Sequence, residues 1–309
     1  MNIANTTSVT VFVLAGLEIQ DDLQVISFLS ILLFYIVTMA ANFFIMIISM
    51  FYSNLHTPMY FFLYNLAFLD ICYSSVVVPK MLMDLISQNK IISFWGCMLQ
   101  VHCFHFFGST EIILFSAMSY DRYVAIAKPL RYSTIMNYKV CCSLALCSWV
   151  IGFSHALIHF IMTSRLPFCG PNVVKHFFCD IKPMLYLACA DVSLNFNLLA
   201  GVTGTIVVTT LILTLLFYVF ISKFLIKIKT WQGRRRALST CSGHFTVVSL
   251  QYGTAIFTYI RPSTNDSLDQ DRSAAIMFSV ITPALNPIIY TLRNKDMKNA
   301  MKRLLRLSQ

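Results

Sequence analysis

The sequence predicts an all-α membrane protein, a bundle of seven transmembrane helices. Of its 309 residues, 57% are hydrophobic and 12% are charged, whereas soluble domains carry about 25% charged residues. Seven apolar stretches are each long enough to span a bilayer, which takes about 18 residues or more. Basic residues crowd on one side of these stretches, as membrane topology requires. The predicted spans are 24–51, 57–85, 93–127, 139–162, 194–228, 233–260 and 270–292.

The chain is expected to form one seven-helix domain, 1–309. It divides into an N-terminal segment 1–23, the helix bundle 24–292 and a tail 293–309. The N-terminal segment lacks the basic start and short apolar core of a cleavable signal peptide, so the first helix is predicted to serve as the anchor. The tail is short, basic and amphipathic, which predicts a helix lying on the membrane.

Charge predicts the orientation of the bundle. One set of loops, together with the tail, carries sixteen basic residues and only two acids, Asp121 and Asp296, while the opposite side carries seven basic and nine acidic residues. The basic side is predicted to be cytosolic and the N-terminus to lie outside. The net charge of +10 then reflects topology and contact with anionic lipid, without nucleic acid. Asn5 begins a glycosylation sequon on the predicted outer side, whereas use of the sequon at Asn265 stays open.

Charged residues inside or beside apolar runs are the next signal. Asp121 and Arg122 end the third apolar run, where a long arginine side chain reaches water and an adjacent acid can pair with it. A solvated helix end explains such a pair equally well. Asp70 and Glu111 differ, because each stands alone in the middle of a predicted helix, where a charge is costly to bury.

Four longer strings carry a family resemblance. They lie in order at predicted helix ends: Leu55 to Leu63, Met118 to Leu130, Arg235 to Phe245, and Pro283 to Tyr290. Together they resemble the signatures of olfactory receptors, a branch of the rhodopsin-like G-protein-coupled receptors, and Tyr252-Gly253 in helix six fits the same pattern. Three residues depart from the pattern, namely Ala127, Leu238 and Gly243. These departures affect local packing rather than the class.

The resemblance implies an odorant receptor in the plasma membrane. A small, uncharged or weakly polar volatile molecule would bind among the outer halves of helices three, five, six and seven. A cytosolic cleft would then open to a stimulatory olfactory-type G protein and raise cyclic AMP. The alternative is a receptor of the same family that senses a small metabolite outside the olfactory epithelium. The family's switch residues fall on Asp121, Arg122, Tyr123, Tyr218, Asn286, Pro287 and Tyr290. No cofactor and no catalytic residue is implied.

Cysteines on the predicted outer side point to disulfide bonds, since thiols outside the cell tend to oxidise. Cys97, Cys169, Cys179 and Cys189 allow three connectivities, and the sequence alone does not choose among them. The family resemblance implies Cys97–Cys179, which ties helix three to the second outer loop, and Cys169–Cys189 within that loop.

Other classes of protein fit less well. No cysteine-histidine cluster has structural zinc spacing and no glycine-rich phosphate loop occurs, which disfavours an enzyme. The pairs His102/His105 and His155/His159 are spaced to hold a metal, although such histidines are more often hydrogen-bonded residues at helix ends. A transporter would show repeated halves. An opsin needs a lysine in helix seven, which 270–292 lacks, and an aminergic receptor needs a carboxylate where Phe104 stands.

A ligand site is predicted from two stripes at helical spacing. The stripe on helix three comprises Phe104, His105, Gly108, Ser109 and Ile112, and Gly108 is expected to leave room for a ligand. The stripe on helix six comprises Tyr252, Gly253, Ile256 and Tyr259. Interhelical packing is the alternative explanation for both stripes. If they line a pocket, its polar contacts would come from His105, Ser109 and Tyr259.

The two intramembrane acids form the last predicted site. By analogy with the family fold, Asp70 and Glu111 meet near Asn42 and Asn286. Two adjacent carboxylates do not both stay ionised without help. They would share a proton or bind a cation such as sodium, and either state would bias the receptor towards its inactive form.

Overall fold

All seven predicted helices are present in the computed structural model, which describes residues 9–17, 19–87, 89–260, 267–293 and 297. Their bounds lie within a few residues of the predicted spans at most ends. The bounds are as follows: helix one Asp21–Phe51, helix two Pro58–Ile86, helix three Phe94–Ala127, helix four Tyr138–Ser164, helix five Ser193–Lys227, helix six Trp231–Ala255 extended by Ile256–Ile260, and helix seven Ser267–Ile276 extended by Met277–Ile281 and Thr282–Arg293.

Six of these helices, within the part of the chain that the structure describes, are long and apolar enough to cross a membrane. Helix six is long enough but more polar than the others, because its first turns include Arg234 and Arg235. It packs against helices three, five and seven, so it completes a seven-helix bundle.

Helix starts follow local sequence signals. Ser93 caps helix three by accepting a hydrogen bond from the backbone N–H of Gly96, at 3.1 Å. Asn137 caps helix four in the same way through the N–H of Val140, also at 3.1 Å. Pro58 occupies the first turn of helix two, where its missing N–H costs no helical hydrogen bond. Side-chain caps of this kind satisfy donors that a helix end leaves unpaired.

A small β-sheet, which the sequence reading did not predict, covers one end of the bundle. Strand β1 is Val11–Leu14, β2 is Ile91–Ser93 and β3 is Val173–Val174. Strand β1 lies in the middle, antiparallel to β2 and parallel to β3. Gly16 follows β1 with a φ of +77°, a conformation that favours glycine. We call this the sheet end of the bundle and the opposite end the Arg122 end.

Aromatic packing holds the sheet in place. Phe12 on β1 is fully buried, and its ring lies 6.0 Å from that of Phe94 and 5.3 Å from that of Phe168. Phe12 belongs to a hydrophobic cluster that also includes Cys97, Cys179 and other residues of the sheet end. The described residues around β1, from Val9 to Leu14, are therefore part of the folded core at this end of the molecule.

Helix three lies at the centre of the bundle and is the most buried of the membrane helices. Helix four approaches it closely at Gly152. A Cβ at Gly152 would lie 3.0 Å from both the carbonyl oxygen of Phe106 and the backbone nitrogen of Thr110. Small residues allow such close contact between membrane helices.

Single π-helical turns interrupt helices five, six and seven, each in the half nearer the sheet end. They are Leu199–Thr203, Ile256–Ile260 and Met277–Ile281. Such turns occur frequently at functional sites because they change the direction of nearby side chains. Two predicted features lie outside the described residues: the glycosylation sequons at Asn5 and Asn265, and the amphipathic tail helix apart from Met297.

Candidate functional site

A small internal cavity lies in the half of the bundle nearer the sheet end. Its volume is about 30 Å³, enough for one or two water molecules. A larger ligand therefore requires side chains to move. Residues of helices two, three, five, six and seven line the cavity: Tyr73, Phe104, His105, Gly108, Ser109, Ile112, Thr203, Ile206, Val207, Gln251, Ala255 and Phe278.

The predicted stripe on helix three lies at this cavity in full. Phe104, His105, Gly108, Ser109 and Ile112 all line it. The space beside Gly108 is not open, however. A Cβ at Gly108 would lie 3.3 Å from the ring of Tyr73, so this glycine admits an aromatic side chain of helix two rather than a ligand. Whether any of these residues binds a ligand stays a prediction.

The predicted stripe on helix six does not lie at the cavity. Gly253 and Ile256 are exposed on the outside of the bundle, and Gln251 and Ala255 line the cavity instead. Each residue turns an α-helix by about 100°, so positions 251 and 255 share a face that 253 and 256 do not.

Tyr252 is buried beside the cavity without lining it. Its hydroxyl donates a hydrogen bond to the carbonyl oxygen of Ile112, at 3.2 Å. The side chain of Tyr259 is outside the described residues. Gln251 is a polar residue within an apolar run. That polarity is the sequence signal that could have identified the inward face of helix six.

A chain of hydrogen bonds crosses the cavity wall from helix three to helix five. Ser109 Oγ lies 2.8 Å from Nδ1 of His155, and Nε2 of His155 lies 2.8 Å from Oγ1 of Thr203. Nε2 of His159 is 3.4 Å from the same threonine oxygen. The sequence reading assigned neither His155 nor Thr203 to the site. The described residues contain no group of three side chains placed to hold a metal ion.

The loop between helices four and five closes the cavity from the sheet end. Phe178 is fully buried, with its ring 4.6 Å from that of Phe104. Asp180 Oδ1 lies 2.8 Å from Nε2 of His105. Burial alone would raise the pKa of the Asp180 carboxyl, but the hydrogen bond and charge of His105 outweigh it and lower that pKa. Asp180 therefore remains ionised as the partner of His105.

Neighbouring residues of the same loop reinforce this closure. Burial lowers the pKa of His176 to about 4, so its ring is neutral at ordinary pH. The ammonium group of Lys182 contacts the carbonyl oxygen of Thr258 and lies 3.8 Å from Oδ2 of Asp271. The loop is thereby joined to helices six and seven as well as to helix three.

Disulfide bonds fix this loop, with the connectivity that the family resemblance implies. Cys97 is bonded to Cys179, with 5.4 Å between the Cα atoms, and Cys169 is bonded to Cys189, with 5.9 Å. The first bond anchors the loop to helix three beside the cavity. The second closes a turn within the loop.

The two intramembrane acids lie close together, on the side of the cavity towards the Arg122 end. Nδ2 of Asn286 donates to Oδ1 of Asp70 at 2.9 Å and to Oε1 of Glu111 at 3.5 Å. Nε2 of Gln251 donates to Oε2 of Glu111 at 2.7 Å. Among the described residues the Asn42 amide bonds neither acid and donates instead to the carbonyl oxygens of Thr38 and Pro283, at 3.0 and 3.1 Å.

At the Arg122 end, the predicted ion pair is formed. Nη2 and Nε of Arg122 lie 2.6 and 3.1 Å from Oδ2 of Asp121. The hydroxyl of Tyr132, which the sequence reading missed, donates to Oδ1 of the same acid at 2.6 Å. Burial and the charge of Asp121 raise the pKa of Tyr132, so this phenol keeps its proton.

The remaining predicted switch residues lie on helices three, five and seven. The hydroxyl of Tyr218 lies 2.6 Å from Nδ1 of His244, and the ring of Tyr123 stacks on that of Phe217 with 5.8 Å between centroids. Tyr290 is buried, and its hydroxyl has no hydrogen-bond partner among the described residues. Pro287 lies inside helix seven, one residue after Asn286. Neither Tyr218 nor Tyr290 bonds Arg122 in this arrangement.

A seven-helix membrane bundle with a lined internal cavity near one end and a buried Asp-Arg pair at the other defines the class of G-protein-coupled receptors. Within that class, a protein-family model described as olfactory receptor matches residues 31–307. The chain therefore belongs to the olfactory receptor family, which makes it a multi-pass plasma-membrane receptor rather than an enzyme.

Individual relatives agree with this assignment. Olfactory receptor 12D1 of Homo sapiens is 52% identical over 303 residues, covering 98% of this chain and 95% of that protein. Olfactory receptor 12D2 of Homo sapiens is 51% identical over 303 residues, covering 98% of this chain and 99% of that protein. Olfactory receptor 5G9 of Mus musculus is 46% identical over 299 residues, covering 97% of this chain and 95% of that protein.

Proposed function

We propose that this odorant receptor binds a small volatile molecule in the cavity near the sheet end and activates a stimulatory olfactory-type G protein, raising cyclic AMP. The observation that carries the proposal is the contact between the cavity and the intramembrane acids. Gln251 lines the cavity, and its amide donates to Glu111 at 2.7 Å. A ligand that displaces Gln251 therefore perturbs the buried carboxyl group of Glu111 directly.

The path continues from the acids into helix seven. Asn286, which donates to both Asp70 and Glu111, precedes Pro287 within that helix. A proline removes one helical hydrogen bond and weakens the helix locally. Ligand binding can thus shift helix seven between two arrangements, provided that the ligand binds one arrangement more tightly than the other.

The Arg122 end of the bundle passes the change on to the G protein. In the structure Asp121 holds Arg122, and Tyr132 supports Asp121. When the Arg122 end of the bundle opens, Arg122 is released from Asp121. Tyr218 and Tyr290 then become the partners of Arg122. The hydroxyl of Tyr290, which has no hydrogen-bond partner in the part of the chain that the structure describes, is available for that role. The freed arginine then lines the cleft that the G protein enters.

The proposed orientation places the sheet end outside the cell and the Arg122 end in the cytosol. The excess of basic residues in the loops and tail of the Arg122 end supports it, as do the two disulfide bonds near the sheet end, because disulfides persist in oxidising surroundings. The N-terminus is then extracellular and Asn5 is available for glycosylation.

The experiment is a cyclic AMP assay in cells that express the receptor together with the olfactory-type G protein, against a panel of volatile molecules. We expect dose-dependent responses from the parent and none from Arg122→Ala at matched surface staining. Equal responses from Arg122→Ala, or a surface-expressed receptor that no volatile activates, would contradict the proposal. A calcium response without cyclic AMP would contradict the G-protein assignment alone.

A further inference from the structure

The hydrogen-bonded chain of Ser109, His155 and Thr203 has a chemical property that packing does not require. Ser109 on helix three and Thr203 on helix five both line the cavity, and the imidazole of His155 on helix four joins their hydroxyl groups at 2.8 Å on each side. All three residues are buried. Thr203 is the last residue of the π-helical turn in helix five, the kind of turn that redirects side chains at binding sites.

A neutral imidazole donates a hydrogen bond from one ring nitrogen and accepts one at the other. The hydroxyl that faces the accepting nitrogen must use its proton there, so it offers the cavity only lone pairs. The hydroxyl that faces the donating nitrogen keeps its proton for another partner. For Thr203 the nearest such partner is Nε2 of His159 at 3.4 Å, a long contact that a ligand oxygen can replace. When the imidazole exchanges tautomers, the two hydroxyl groups exchange these roles. His155 has hydroxyl groups as its partners on both nitrogens, with no acid among them to compensate a positive charge in the bilayer.

We propose that Ser109 and Thr203, joined through His155, form a hydrogen-bonding subsite for one neutral oxygen-bearing group of the ligand, a hydroxyl or a carbonyl. The ligand class is thus uncharged alcohols, aldehydes and ketones. A carbonyl group of the ligand accepts a hydrogen bond from the free O–H of one of these two hydroxyl groups. An alcohol also donates to the lone pairs of the other. This inference rests on the proposed function and names the chemistry of the same site.

The other lining residues favour the same class. Most are apolar or aromatic, and among the described lining residues only His105 is basic. His105 already contacts Asp180 at 2.8 Å, so it is no open counter-charge for a carboxylate ligand. A hydrocarbon ligand offers the free O–H of the subsite no acceptor, so it lacks the buried hydrogen bond that an oxygen-bearing ligand forms there.

The test compares molecules that share a carbon skeleton: octan-1-ol, octanal, octan-2-one, octane, octanoic acid and octylamine, with cyclic hydrocarbons and their alcohols and ketones as a second set. Cyclic AMP dose-response curves are recorded for the parent and for Thr203→Val, Thr203→Ser and Ser109→Ala. The matched control is Thr205→Val. Thr205 lies two residues along the same helix, is exposed, and bonds only its own helix through the carbonyl oxygen of Gly201.

We expect alcohols and carbonyl compounds to be the agonists. Thr203→Val and Ser109→Ala should weaken their potency about tenfold, as the loss of a buried hydrogen bond implies. Thr203→Ser should restore potency, and Thr205→Val should match the parent. His155 is a positioning residue, so His155→Gln, which keeps one donor and one acceptor, should retain more potency than His155→Leu at equal surface staining.

The outcomes separate the two proposals. If octane, octanoic acid or octylamine is the preferred ligand, or if Thr203→Val behaves like Thr205→Val, the subsite is wrong while the odorant receptor function stands. If no molecule of any class raises cyclic AMP in cells with surface receptor, the proposed function fails and the subsite fails with it.

Discussion

Individual polar residues in the bilayer account for most of what this receptor can do. Asp70, Glu111 and Asn286 come from three different helices and meet through hydrogen bonds of 2.9 and 3.5 Å. Two acids so close together are too costly for passive packing. We propose that they share a proton or hold a cation, and either state would depend on the helices around them staying in place.

Substitution of the acids tests that role. Glu111→Gln mimics the protonated acid, so we expect it to be tolerated if a proton is shared. We expect altered basal activity or lost sodium sensitivity if a cation is held. Basal and agonist-driven cyclic AMP, measured for Glu111→Gln and Asp70→Asn across sodium concentrations, distinguishes these states. Two variants that match the parent at every sodium concentration would make the acids structural.

Removal of one atom, the hydroxyl oxygen of Tyr132, gives a second test, which concerns the Asp121–Arg122 pair. Tyr132→Phe removes the hydroxyl that donates to Asp121 at 2.6 Å and leaves the ring in place. Since Asp121 then holds Arg122 less firmly, we expect basal cyclic AMP to rise several-fold at unchanged surface staining. Tyr138→Phe is the control, because Tyr138 is exposed at the start of helix four. Unchanged basal activity in Tyr132→Phe would show that this hydroxyl has no part in holding the inactive state.

At the scale of elements, the register of each helix decides which residues reach the cavity. Hydropathy predicted the helices well, because long apolar runs leave few alternatives in a membrane. The inward face of helix six was not predictable in the same way. Membrane helices are apolar on the lipid side as well as the inner side, so an apolar stripe such as Gly253 and Ile256 does not indicate direction. Buried polar residues such as Gln251 do.

Helix–helix contact gives a prediction at this scale. Gly152→Ala places a methyl group 3.0 Å from the carbonyl oxygen of Phe106, which forces helices three and four apart. We expect a loss of about 1–3 kcal/mol, typical of overpacking, seen as a lower thermal unfolding temperature in detergent and reduced surface expression. Gly253→Ala is the matched control, since no atom lies within 4 Å of its added Cβ. Equal stability of the two variants would contradict the close approach.

At the scale of the whole molecule, the sheet end joins segments that are far apart in the sequence. Strand β1, the loop before helix three and the loop before helix five meet in one sheet, and Cys97–Cys179 ties the first turn of helix three to the loop before helix five. The sheet escaped prediction because β2 and β3 are only three and two residues long, too short for a periodic signal. The disulfide pairing followed from family resemblance alone.

The Cys97–Cys179 bond should act as one unit. Cys97→Ser and Cys179→Ser should each abolish surface expression, and the double variant should be no worse than either, because each single change already removes the whole cross-link. A cross-link over a long loop contributes about 2–4 kcal/mol. Surface staining by flow cytometry measures the effect. Losses that add strictly in the double variant would indicate that the two cysteines act separately.

The central claim is that the ligand binds inside the bundle, in the cavity near the sheet end, and one pair of adjacent substitutions tests it most directly. Ala255 lines the cavity and is 1% exposed, whereas Ile256 is 37% exposed on the outside of helix six. Agonist-evoked cyclic AMP is measured for Ala255→Val, Ala255→Phe and Ile256→Phe at matched surface staining.

We predict a graded loss of potency in the two Ala255 variants, complete in Ala255→Phe because its ring fills the cavity. We also predict a parental response in Ile256→Phe. A parental response in both Ala255 variants, together with lost potency in Ile256→Phe, would place the ligand on the outer face of helix six and contradict the account.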